Sequence, residues 1–236
     1  MPSTFSYLVL VFFGTLPSLL WLAWWIRKDA HPEPGTLITK TLLLGVILSP
    51  LAVIFQLLFA RFIPGAADGP VFFLWAAFVE EVVKFGAVAF VALRSPDMDE
   101  PVDAMIYMLT AGLGFAAMEN ILVINRVMAD GLAVTAGVWG LRFAGATLLH
   151  VLASALLGYF IALGWFWRRY RHALFFVGLI MATLVHLVFN LFISSAHQST
   201  SLGFSTVLLI ALAFLVSSLF DKIKERQERA LRAMTA

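Results

Sequence analysis

The chain has 236 residues, of which 61% are hydrophobic and only 13% charged, with a formal net charge of +2 and no cysteine. A soluble domain carries about 45–50% apolar and about 25% charged residues, so this composition excludes a soluble globular protein and points to an integral membrane protein. The small net charge argues against a nucleic-acid partner, and the lack of cysteine excludes disulfides and thiolate metal sites.

A membrane span needs about 20 mostly apolar residues. The first such run covers 5–26. No Lys or Arg precedes it, and "WIRKD" follows it without a small-residue cleavage site, so a retained span is expected rather than a cleaved leader. Further runs at 37–60, 71–93, 102–127, 143–167, 173–195 and 202–220 predict an all-α, polytopic bundle of about seven transmembrane helices. The breakers "KDAHPEPG", "IPGAADGP", "RSPDMDEP", "ADG" and "HQSTS" separate the spans, and none is long enough for a second domain. A single domain over 1–236 is expected, with a basic tail at 221–236 that continues the last helix. Residues 132–141 fit either an N-terminal extension of the fifth span or a short re-entrant piece.

Lys and Arg favour cytoplasmic loops. Arg27, Lys28, Lys40, Arg94, Arg168, Arg169, Arg171, Lys222, Lys224, Arg226, Arg229 and Arg232 fall on one side of a seven-span arrangement. Arg61, Arg126 and Arg142 fall on or near the other, which predicts an outside N-terminus and a cytoplasmic C-terminus. Trp21, Trp24, Trp25, Trp165 and Trp167 near span ends fit an aromatic belt, and His31, His172 and His197 fall in loops.

Ionisable groups inside spans are rare and face the bundle interior or a water-filled cavity. Here they are Glu80, Glu81 and Lys84 in the third span, Glu119 in the fourth, His150 in the fifth and His186 in the sixth, with Asn120 and Asn190 beside them. At 1.5 Å per residue from the outer span ends, Glu80 and His186 lie roughly 13 Å deep and Glu119 and His150 roughly 10 Å. Neighbouring spans run in opposite directions, so the agreement predicts one polar layer in the outer half of the membrane. Lys84 can meet Glu80 at i+4 or Glu81 at i+3, while His186 shares a face with Asn190, as Phe115 does with Glu119. Peptide hydrolysis needs an activated water and donors for the oxyanion. A carboxylate near an apolar wall makes a competent base, and His and Asn side chains can donate. Glu80, Glu119, His150, His186 and Asn190 contain those parts. Ser154 lacks the context of a nucleophile, and Gly112 and Gly114 read as close helix packing.

At these residues the sequence resembles the PrsW family of intramembrane proteases, related to the prenyl-protease and bacteriocin-processing superfamily. The matching motifs are "EEVVK" at 80–84, "GLGFAAMEN" at 112–120, "LLHVLASALLGY" around His150 and "HLVFN" with His186 and Asn190. Upstream, "RKDAHPEPGTL" and "DEPVDAMIY" resemble the family's first loop and the start of its fourth span. The resemblance, from about Arg27 to Asn190, implies a glutamate-dependent endopeptidase that cuts a membrane-anchored protein. It implies Glu80 as the water-activating glutamate, Glu81 and Lys84 as its partners, and His186 with Asn190 as an oxyanion pair. Glu119 stands where prenyl-protease relatives carry a histidine that helps to hold the water, and His150 matches a family histidine. No cofactor is implied. A bacterial or archaeal plasma membrane is expected, and in bacteria the family is associated with cleavage of anti-sigma factors at the outer membrane face. Two other readings remain open from the residue types. Two Glu and two His could ligate zinc, although Lys84 beside them disfavours a cation. Membrane carboxylates also occur in proton- or ion-coupled transporters.

Overall fold

The computed structural model describes residues 4–28, 31–63, 65, 69–194 and 198–235. Among these there is no strand. The helices are α1 (Thr4–Trp25), α2 (Gly35–Phe62), α3 (Pro70–Val91), α4 (Asp103–Val127), α5 (Leu132–Leu141), α6 (Thr147–Phe166), α7 (Arg171–Ile193) and α8 (Gln198–Thr235). A π turn, Arg142–Ala146, joins α5 to α6. His197 and Ser195 lie outside the described residues.

Among the described residues, six stretches are long and apolar enough to cross a membrane: α1, α2, α4, the joined α5–α6 run, α7 and the first part of α8. The remaining long helix, α3, has the same 22-residue length as α1 and differs in carrying Glu80, Glu81 and Lys84. It packs against α2, α4 and α7, so these charges turn into the bundle rather than outward. Large apolar side chains on the other helices, among them Leu8, Ile47, Phe176 and Phe214, are exposed, as hydrocarbon surroundings require. Pro17 and Pro50 sit inside α1 and α2, and Pro70 opens α3, where a missing N–H costs nothing.

The run from Leu132 to Phe166 is continuous, which settles the ambiguity at 132–141 as an extension of α6. Gly131, at φ 100°, makes the break that separates this extension from α4. The tail likewise continues α8, with Arg229 on Glu225 and Arg232 on Glu228 at i+4 spacing. Trp25 departs from the expected belt. It is fully buried and stacks on Phe220 of α8.

α4 is the axis of the fold. Every residue from Asp103 to Ala117 is buried, and α1, α2, α3 and α6 all pack on it. Small residues permit this crowding, because lipid supplies no hydrophobic drive and helices gain by close approach. Gly114 faces the backbone of α2 at Leu42, with Gly45 opposite it, and Gly158 of α6 lies on the Ala104 carbonyl. The first loop is tied to the same helix: Tyr107 donates a hydrogen bond to Glu33, and His31 lies 2.8 Å from Glu100. The segments "HPEPG" and "DEPVD" thus meet at one end of the bundle.

A Cβ at Gly114 would overlap the Leu42 carbonyl oxygen, whereas one at Gly137 in α5 meets nothing within 4 Å. Gly114→Ala is expected to lower stability by about 1–3 kcal/mol, an overpacking cost. Gly137→Ala should leave the melting temperature in detergent unchanged or slightly raised. Equal melting of the two variants would contradict the close α2–α4 packing.

Candidate active site

Glu80, Glu81 and Lys84 occupy the buried face of α3, and Lys84 is 0% exposed. The i+3 spacing wins over i+4: Lys84 Nζ donates to Glu81 Oε1 at 2.6 Å and makes no bond to Glu80. A second Lys84 hydrogen bond reaches His150 Nδ1 on α6 at 2.8 Å, and the ammonium stands 5.0 Å from the centre of the Phe115 ring on α4. Phe115 in turn packs at 5.6 Å on the His150 ring. One lysine therefore ties three helices together.

The ion pair also fixes the protons on two histidines. Lys84 has donors only, so His150 Nδ1 must accept. His150 Nε2 then carries the proton and donates to Glu119 Oε2 at 2.9 Å. His186 has the opposite arrangement. Its Nδ1 lies 3.0 Å from the acceptor Glu81 Oε1 and so carries the proton. In the neutral ring Nε2 then keeps a lone pair, and it lies 3.5 Å from Glu80 Oε2.

Each carboxylate has a distinct partner. Glu81 has Lys84, and Glu119 has the Arg142 guanidinium at 2.6 Å. Glu80 receives only the Gln56 amide, at 3.0 Å on Oε1, and its buried Oε2 accepts no hydrogen bond among the described residues. Glu80 is thus the one acid of the three without a Lys or Arg beside it. Exposure separates them further. The Glu119 side chain is 35% exposed, against 8% for Glu80 and 0% for Glu81, so the cluster opens towards its surroundings on the Glu119 side.

The π turn explains how Arg142 and His150 both reach Glu119. Eight residues apart on a regular α-helix, they would point roughly 80° apart. A π turn accommodates one extra residue, which slips the face back to about 20°. Arg142 also gives its Nε to Asn120 Oδ1 at 2.5 Å, and the Asn120 amide donates to Thr147 at 3.0 Å, locking α4 to α6.

Sequence reasoning brings Glu80, Glu81, Lys84, Phe115, Glu119, His150 and His186 to this cluster, and all seven meet there. Asn190 shares the α7 face with His186 but is half-buried, and its side chain makes no hydrogen bond among the described residues. Gln56 and Arg142 were missed. Gln56 carries the same signal as the others, a polar group in an apolar run ("VIFQLLF"), without being ionisable. Arg142 reads from sequence only as a charge near a span end.

Glu80, His150 and His186 offer ligand atoms within 4.8 Å of one another. A catalytic zinc takes three protein ligands and an open position, and each metal-bound His donates its other N–H to an acceptor. His186 meets that requirement through Glu81. His150 does not: both of its ring nitrogens are committed, one of them to an ammonium. As arranged, Glu80 and His186 supply two ligands, one short of a catalytic zinc site.

A family model described as "PrsW family intramembrane metalloprotease" matches residues 33–218, a span that contains every residue of the cluster. Several proteins named "Protease PrsW" are similar to the chain, three of them over most of their length. That of Geobacillus kaustophilus (strain HTA426) is 28% identical over 184 residues, 75% of this chain and 76% of the relative. That of Oceanobacillus iheyensis (strain HTE831) is 26% identical over 204 residues, 86% and 87% respectively. That of Clostridioides difficile (strain 630) is 25% identical over 219 residues, 89% and 88%. No solved structure matches the chain. With acids and histidines converging from α3, α4, α6 and α7 and a family match over most of its length, the chain belongs to the PrsW family of intramembrane proteases.

Proposed function

We propose that this peptidase hydrolyses a peptide bond of a membrane-anchored protein with a water activated by Glu80. The observation that carries this reading is the 3.5 Å approach of Glu80 Oε2, which accepts no hydrogen bond among the described residues, to His186 Nε2, whose ring is held from behind by Glu81. A water set against both would give one proton to each hydrogen bond and turn a lone pair outward. Glu80 is the base because it alone among the three acids has no Lys or Arg hydrogen-bonded to it.

In the reaction Glu80 takes a proton from the water as its oxygen bonds to the scissile carbonyl carbon. The carbonyl oxygen becomes an oxyanion, for which the Arg142 guanidinium and the Asn190 amide are the donors at hand. The C–N bond then breaks as the proton held by Glu80 passes to the leaving amine. His186 acts in this scheme as an acceptor that orients the water, since its Nδ1 proton is held by Glu81. Glu119 and His150 form the wall through which the peptide approaches.

The wider setting follows the charge pattern: an outside N-terminus, a cytoplasmic tail and a site in the outer half of a bacterial or archaeal plasma membrane. A membrane-anchored substrate cut near that face, of the anti-sigma-factor type, suits this placement, within one protease domain. The second reading, a metalloprotease, is favoured by the closeness of Glu80, His150 and His186. It requires His150 to release Lys84 or Glu119.

Comparative membrane proteomics of cells carrying the native chain or Glu80→Ala should reveal a single-pass protein whose outer stub changes length. On that substrate, purified Glu80→Gln should lose roughly 10²–10⁴-fold in rate while keeping its melting temperature. A Glu80→Gln enzyme that still cuts at the native rate would sink the assignment.

Treatment with 1,10-phenanthroline is expected to leave cleavage intact, with less than one zinc per chain by elemental analysis. Loss of activity restored by added zinc would establish the metal reading instead.

Removing one member of the buried pair strands the other. Lys84→Met should cost about 3–5 kcal/mol of stability. Adding Glu81→Gln to that chain should recover part of the loss without restoring cleavage. A double variant less stable than Lys84→Met alone would show that the two side chains do not act as a pair.

A further inference from the structure

A second site lies at the far end of α7 from the catalytic cluster. Arg171 opens that helix, 15 residues before His186, a separation of roughly 22 Å along the axis. Here the ends of α3, α6 and α7 enclose a cleft of about 720 Å³. Its inner wall is apolar: Phe85 of α3 and Phe175 of α7 meet with ring centres 4.5 Å apart, and Ile161 of α6 lies beside them. Its rim is cationic, formed by Arg168 and Arg171. Neither arginine pairs with a carboxylate among the described residues, and the Arg171 Nε contacts only the neighbouring His172, at 3.3 Å.

We propose that this cleft binds an anionic phospholipid, with its phosphate between Arg168 and Arg171 and an acyl chain against Phe85, Ile161 and Phe175. Positive charge near a span end is accounted for by membrane topology alone. Topology does not call for a cleft that continues inward from those charges as an apolar, aromatic-walled surface. Basic pockets between membrane helices are suited to acidic headgroups, and arginine forks match phosphate oxygens in pairs. A free anion would use the rim and leave the aromatic wall without a role. The commitment is therefore to a lipid.

The test uses the full chain in detergent, titrated with dioleoylphosphatidylglycerol or dioleoylphosphatidylcholine and read by native mass spectrometry. The native chain should hold the anionic lipid roughly 30-fold more tightly, the worth of two arginines at a membrane surface. Arg168→Gln with Arg171→Gln should bring that ratio close to one while cleavage-site residues and melting temperature stay intact. Arg168→Lys with Arg171→Lys should keep much of the preference. Arg229→Gln with Arg232→Gln, which removes charge from the tail, should keep all of it. Inorganic phosphate at millimolar concentration should not displace the lipid. The proposal is overturned if the native chain shows no preference, if the Gln pair retains it, or if the tail variant abolishes it. Displacement by phosphate would mark a simple anion site.

Discussion

The Glu81–Lys84 ion pair is the constraint on which the site depends. Taking two charges out of water costs several kcal/mol per ion, and a bare pair seldom repays that. Here the pair is built into a network that spends its remaining hydrogen-bonding capacity on two histidines from two other helices. Its polarity then dictates theirs. The ammonium makes His150 a donor on the far side, and the carboxylate holds the His186 proton on the near side, so that the neutral ring is an acceptor on the far side. Two residues of one type become chemically opposite because they touch opposite ends of the same ion pair. The arrangement also leaves Glu80, one residue before Glu81, with a neutral amide as its only hydrogen-bond donor among the described residues.

The scaffold holds this layer through the burial of α4. A helix enclosed on all sides over 103–117 shows no polar face to periodicity there, and its mean hydropathy, the lowest of the candidate spans among the described residues, gives no hint of that burial. Its status shows instead in Gly112, Gly114 and the alanines after them, which let α2 and α6 come within backbone contact. The same crowding carries Phe115 and Glu119 to the lysine and to His150. Packing and chemistry thus share one stretch of sequence, which makes substitutions there hard to assign to either.

Much of the site is legible in the sequence for a simple reason. Charges in apolar runs are costly, so each one that is present has a partner, and equal depth on antiparallel spans says which partners are possible. That logic finds Glu80, Glu81, Lys84, Glu119, His150 and His186. It misses Gln56, whose neutral amide carries little cost, and it misreads Arg142, whose position at a span end is equally consistent with a topology signal. It also leaves open whether Lys84 meets Glu80 or Glu81, since both spacings are allowed on a helix and only the surrounding histidines decide. The α5 extension could not be separated from a re-entrant piece because both would be apolar throughout.

The π turn at Arg142–Ala146 has a bearing on chain length. The segment ahead of α6 buries no residue of α5 and is anchored mainly by Trp139, which donates to the Phe13 carbonyl and packs on Phe13 and Phe143. Its register is the tighter constraint. Losing one residue from that turn would rotate everything upstream by roughly 100° about the α6 axis, swinging the Arg142 guanidinium off Glu119 while leaving His150 in place. In this stretch the number of residues, as much as the identity of Arg142, sets whether the guanidinium meets Glu119.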